Sequence, residues 1–200
     1  MPEEQKLNIF KEIIEWIVYF ASAILIASLL QSQLFALTTV HQSSMQNTLF
    51  EGHMLIMNKI GYCFSKPEKG DIIVFVKNED SSSFIKRYRI FMQDVRLRFK
   101  SKFRTNRLIK RVIAMPGDKV DIHDGQVYIN DSLLEEPYVK GMTPGMDLKF
   151  PIVIPDGYVF VMGDNRENSM DSRSFGPVSM DSVEGKAMFR VYPFSQIGRP

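Results

Sequence analysis

Two adjacent serines, Ser43 and Ser44, follow a long apolar run, and either hydroxyl could serve as a nucleophile. A serine attacks only when a neighbouring base takes its proton. Histidine is the usual base, but the three histidines, His41, His53 and His123, stand in no triad context. Lysine is the other option. Along LIKRVIAM, residues 108–115, strand alternation puts Lys110 on the same face as Leu108, Val112 and Ala114, while Ile109, Arg111 and Ile113 share the other. Both faces read as largely buried. A lysine with a pKa of about 10.4 is charged at neutral pH, and holding it neutral at pH 7 costs about 4.6 kcal/mol. Desolvation among apolar side chains lowers that pKa toward the range a general base needs. Most strand lysines are instead solvated or salt-bridged, so spacing alone leaves both readings open.

The elements that would hold such a site begin with residues 13–37, IIEWIVYFASAILIASLLQSQLFAL, which are uncharged from Trp16 to Leu30. As a helix this segment reaches about 37 Å, against a hydrocarbon core of ~30 Å. A cleaved signal peptide, a retained anchor and a buried core helix compete. No small-x-small pattern follows the run, which favours the anchor, with residues 1–12 as a cytoplasmic tail. Lys6 and Lys11 in that flank place the N-terminus inside, because its glutamates count little.

After residue 38 the pattern becomes short β-rich runs. Residues 53–60, 71–77, 108–115 and 158–162 read as strands, and KVDIHDGQVYIN (119–130) as a two-residue hairpin around Asp124-Gly125. No long amphipathic helix is expected after residue 40. The fold expected is mainly β, an antiparallel sheet or barrel-like domain over 38–200, tethered by one transmembrane helix. The chain has 200 residues and is 44% hydrophobic, enough for a sizeable core. Its net charge of +2 names no partner. A single cysteine, Cys63, excludes an internal disulfide or a multi-cysteine metal site and reads as a small buried apolar residue.

Ser44-Met45, Thr48-Leu49, Gly52 and Asn58-Lys59 come first. Lys110-Arg111-Val112-Ile113 with Pro116-Gly117-Asp118 follows, and then GDNRENSMDSR at 163–173. In this order they resemble the type I signal peptidases, membrane-anchored serine proteases with a Ser/Lys dyad. The resemblance runs from the anchor to the C-terminus. It implies Ser44 as nucleophile, Lys110 as general base and Ser169 as the hydroxyl that orients the lysine. It implies a charged framework of Asp164, Arg166, Asp171 and Arg173, with Arg111 beside the lysine, and it implies no cofactor or metal. Ser43 is then the bland neighbour. Lys86, in a look-alike Ile85-Lys86-Arg87, has Arg87 and Arg89 around it and reads as a solvated charge.

The implied function is a membrane-bound serine endopeptidase that removes signal peptides from exported preproteins through an acyl-enzyme. Small residues would precede the cut, and the catalytic domain would lie on the extracytoplasmic side. The Ser44 backbone N–H would serve the oxyanion. Gln42, where relatives carry a glycine or serine, could add its side-chain amide, or the hole could rest on backbone alone. Asn47 and His53 also depart from the family's usual proline and aspartate. The alternative is a non-enzymatic assembly chaperone of the same fold, against which Ser44, Lys110 and Ser169 argue. A soluble self-cleaving repressor would lack the apolar N-terminal segment.

Residues 84–107 form a basic insertion, with nine basic side chains against Asp94, a local +8 that leaves the rest of the chain at −6. Arg96, Arg98, Lys100, Lys102 and Arg104 alternate with other residues, so the expectation here is an edge hairpin with one basic face. Its expected partner, besides solvent, is anionic lipid near the anchor. No nucleic acid is expected.

Overall fold

The computed structural model describes residues 3–200. Helix α1 (Glu3–Gln33) runs without a break at residue 13. From Ile9 to Gln33 it is long and apolar enough to cross a membrane, and the rest of the chain leaves residues 9–27 exposed. Trp16, Phe20 and Ile24 are exposed. In water that apolar surface would be unfavourable, so lipid is its natural solvent.

The helix ends four residues earlier than the sequence pattern predicts. The carbonyl of Leu34 accepts from the backbone of Lys59 at 2.9 Å, and the chain enters β1 (Phe35–Thr39) at once. Pairing with β2 (Met54–Asn58) satisfies this backbone across the sheet, and the β-branched Thr38 and Thr39 favour the strand.

After α2 (Gly61–Phe64) come β3 (Ile72–Val76) and α3 (Phe84–Phe99), then β4 (Arg107–Ala114), β5 (Lys119–His123), β6 (Gln126–Ile129), β7 (Ser132–Leu133) and β8 (Ile152–Val153). The chain finishes with β9 (Tyr158–Met162), α4 (Ser172–Phe175), β10 (Val178–Ser179) and β11 (Val183–Tyr192). One antiparallel sheet has the order β1-β2-β11-β3-β4-β9-β10, and a smaller one β7-β6-β5-β8. The expected strands are present, and Asp124 and Gly125 both take positive φ, 53° and 74°, as a two-residue hairpin turn requires. Cys63 lies in α2, but its burial concerns a side chain outside the described residues, as does the place of Lys6 in the N-terminal flank.

Strand β4 lies inside the larger sheet, with Lys110 opposite Ile73 on β3 and Arg111 opposite Met162 on β9. Ile113 and Ala114 join one core cluster with Phe160 and Met162, while Val112 joins another with Ile73, Phe75 and Val161. Each such side chain contributes about 1.5–3 kcal/mol on burial, so the strand bearing Lys110 is held rigidly from both faces.

The basic segment corrects the hairpin expectation. Residues 84–99 are helical, so a 16-residue helix does follow residue 40. Its N-terminus is capped by Ser83, whose hydroxyl accepts from the Lys86 backbone at 3.3 Å. Ile90 is buried, and Asp94 faces inward to bind Arg104 at 2.9 Å and Arg107 at 2.5 Å. Arginine, methionine, glutamine and leucine are good helix formers, and a buried Ile90 with an inward Asp94 suits period 3.6 rather than 2. Arg104 therefore leaves the supposed basic face for the carboxylates of Glu79 and Asp94, and Arg107, outside that face, pairs with Asp94 and Glu184. The helix meets α1, whose Gln33 amide donates to the Phe84 carbonyl at 3.3 Å. Lys86 pairs with Asp80 at the surface.

Candidate active site

Ser43–Met45 form a short 3-10 turn entered from the extended Gln42. Met45 and Leu49 plug into a core cluster with Val40 and Leu55, which pins the turn to the sheet. Ser44 and Lys110 are both buried, and Lys110 Nζ and Ser44 Oγ lie 2.5 Å apart in a hydrogen bond. Ser43 Oγ is held elsewhere, accepting from Asn168 Nδ2 at 2.9 Å. Of the two serines, only Ser44 meets the lysine.

Burial is the main influence on Lys110 and pushes its amine down; Asp171 and Asp164 pull up, Arg173 pushes down, and the result is about 8. No carboxylate pairs with the ammonium, because the framework acids are taken. Asp164 accepts from Arg111 Nε at 2.9 Å and a terminal nitrogen at 2.7 Å, and from Thr48 Oγ1 at 2.5 Å. Arg111 also stacks on the Tyr138 ring, 3.9 Å from its centroid. Asp171 takes Arg173 through two bonds of 2.8 Å, together with the Gly163 N–H at 3.0 Å. Burial alone would raise the Asp171 carboxyl, but Arg173 and that N–H hold it below the ordinary carboxylate value. Arg166 forks onto Glu136 and binds the Gly163 carbonyl at 3.0 Å. These charges are buried and compensated, which makes them a scaffold and leaves the amine of Lys110 to the serine.

The 163–173 loop is pressed against the turn that carries Ser44. Asn165 N–H donates to the Ser44 carbonyl at 3.0 Å. A Cβ on Gly163 would stand 2.4 Å from that carbonyl oxygen and 2.3 Å from Ser169 Oγ. Only glycine allows this approach. Ser169 is buried, and its hydroxyl has no hydrogen-bond partner among the described residues, Lys110 included. It adds to the lowering of Asp171 without meeting hydrogen-bond geometry.

Ser44 opens into a cleft of about 310 Å³ whose walls include Gln42, Val40, Met45, Ile109 and Phe103. Gln42 is exposed in the lining of this cleft, its side-chain amide making no hydrogen bond among the described residues. The Ser44 N–H, among the first of its turn, has no partner inside that turn. A buried serine hydroxyl, an amine that burial makes neutralisable and a backbone donor beside a cleft of mixed polarity suit acyl transfer to serine.

Sequence reasoning missed Thr48, Glu136, Tyr138, Asn165, Asn168 and the close packing at Gly163. Thr48, the asparagines and Gly163 lay inside quoted motifs without a role of their own. Glu136 and Tyr138 gave no signal, because their role depends on a loop folding back over Arg166 and Arg111.

Comparison with known proteins places these residues in context. The family described as signal peptidase, peptidase S26, matches residues 13–192. Signal peptidase IB of Staphylococcus aureus (strain COL) is 32% identical over 202 residues, covering 93% of each chain. Thylakoidal processing peptidase 1, chloroplastic, of Arabidopsis thaliana is 33% identical over 177 residues, 88% of this chain. The chain spans about half of that relative, 47% of its length. A crystal structure of a signal peptidase I from Enterococcus faecalis V583 is 29% identical, covering 61% of this chain and 97% of that one, with a TM-score of 0.39.

Proposed function

The chain belongs to the signal peptidase family, peptidase S26, a serine peptidase that removes signal peptides from exported preproteins, and we propose that Ser44 and Lys110 carry its chemistry. The observation that supports this assignment is the buried 2.5 Å contact between Lys110 Nζ and Ser44 Oγ. With the amine neutral, Ser44 donates its proton to Lys110 and attacks the carbonyl at the end of the signal peptide. Lys110 returns the proton to the leaving amine, and water then releases the acyl group. The oxyanion is met by the Ser44 N–H, with Gln42 at hand as a second donor. Ser169 packs against Gly163 beside the Ser44 turn, and Asp164, Arg166, Asp171, Arg173 and Arg111 hold the framework around the dyad. Substrates carry small residues before the cut. An assembly chaperone is not favoured.

The protein is membrane-anchored through α1. In this reading its N-terminus is cytoplasmic, and residues 38–200 form the catalytic domain on the other side. The outward face of α3 rests on anionic lipid. Ile85, Met92 and Phe99 recur every seven residues and are exposed, with Arg89 and Arg96 interleaved on the same face. Apolar residues among arginines on one helix face suit the headgroup boundary.

Incubating the detergent-solubilised protein with a preprotein and sequencing the new N-terminus tests the activity. Cleavage by Ser44→Ala would overturn the assignment. Protease added outside spheroplasts should digest the region after residue 40 and spare a tag at residue 1, and the opposite pattern would reverse the orientation.

A further inference from the structure

The trough that begins at Ser44 continues past His41. There the imidazole stacks on Phe103, with centroids 4.5 Å and planes 17° apart. This ring pair joins the segment leading to the nucleophile with the loop after α3. Beyond it lies a second cavity of about 360 Å³, with Leu37, Leu97, Arg98 and Lys102 in its walls. The two cavities share Thr38, Thr39, His41 and Phe103, so the stack is a partition between adjoining hollows.

The second cavity has a definite charge character. Asp94, Arg104 and Arg107 also border it, but these charges are spent on one another, the two arginines being committed to the carboxylates of Glu79, Asp94 and Glu184. Arg98 and Lys102 are exposed and make no ion pair among the described residues. An anionic group entering there meets two uncompensated cations above the apolar Leu37 and Leu97. His41 precedes Ser44 by three residues, through the extended Gln42 and into the 3-10 turn, a span of at most roughly 10 Å. A substrate lying alongside would place about three residues on the Ser44 side of the stack and the next ones beyond it.

We propose that this second cavity, built by α3 and the loop after it, is a substrate subsite that seats the residues about four to six before the cut and favours an acidic over a basic side chain there. The inference rests on the Ser44 and Lys110 reading above.

The full-length protein in neutral detergent would be given three synthetic signal peptides that differ only in carrying Glu, Ala or Lys at those positions. The Glu peptide should exceed the Lys peptide in kcat/KM by about threefold to tenfold, as expected for one or two exposed ion pairs. That preference should shrink in 0.5 M salt. It should invert in the double variant Arg98→Glu, Lys102→Glu, an outcome that misfolding would not produce. A Glu-to-Lys ratio that is the same in parent and double variant overturns the subsite while leaving the dyad in place. If the parent cleaves none of the peptides, or Ser44→Ala cleaves them, the subsite falls together with the reading it rests on.

Discussion

Lys110 Nζ stands 2.5 Å from Ser44 Oγ, while Asp171, a buried carboxylate acting on that amine, is bound by Arg173 through two 2.8 Å hydrogen bonds. The lysine is therefore desolvated without being ion-paired, the one combination that makes it a usable base near neutral pH.

Because the base works only when neutral, kcat/KM should rise with pH and level off above about 8. Stopped assays from pH 6 to 10 check this, and a flat profile would contradict the role of Lys110. Ser44→Ala and Lys110→Ala should each lower kcat by at least about a thousandfold. Lys86→Ala should keep full activity, since that residue pairs with Asp80 at the surface.

Lys110→Met should abolish activity and yet stabilise the protein. The amine falls from 10.5 to about 8 on folding. Between those values the unfolded chain holds more protons, so parent stability rises with pH across that window, and below about 8 the whole cost of the buried charge is present. That cost is on the order of 3 kcal/mol. At pH 7 the variant should melt roughly 5–10 °C higher, and the gap should close by pH 10.5. Equal melting temperatures at pH 7 would show that the ammonium is solvated.

Gly163→Ala should disable the site. Its new Cβ would stand 2.4 Å from the Ser44 carbonyl oxygen, a backbone atom that can yield only by moving the nucleophile. A displacement of about 1 Å costs on the order of a hundredfold in rate. Single-turnover acylation is the measurement, with circular dichroism to confirm that the fold survives.

Chain shortened to residues 34–200 should float with liposomes that contain anionic lipid and be released as salt rises. Arg89→Gln with Arg96→Gln should weaken partitioning roughly thirtyfold, at about 1 kcal/mol for each charge. Equal flotation of parent and variant would exclude this face as the lipid contact.

The sequence by itself determined the class of fold and the family. A spanning apolar run, period-two strands, a hairpin at Asp124-Gly125 and motifs holding Ser44, Lys110 and Gly163 through Arg173 are local signals, and local signals survive in one dimension. Tertiary structure decided the rest. Whether Lys110 is charged depends on what covers both faces of β4 and on Arg173 occupying Asp171, neither of which is written near residue 110. The end of α1 at Gln33 was decided by a partner strand some twenty residues downstream, whose pairing adds to the local preference of Thr38 and Thr39 for the strand. The alternation of basic residues at 96–104 misled for the same reason. The pattern suits a strand face, but in the helix Ile90 is buried and Asp94 pairs with Arg104 and Arg107, contacts that the period of the letters does not show.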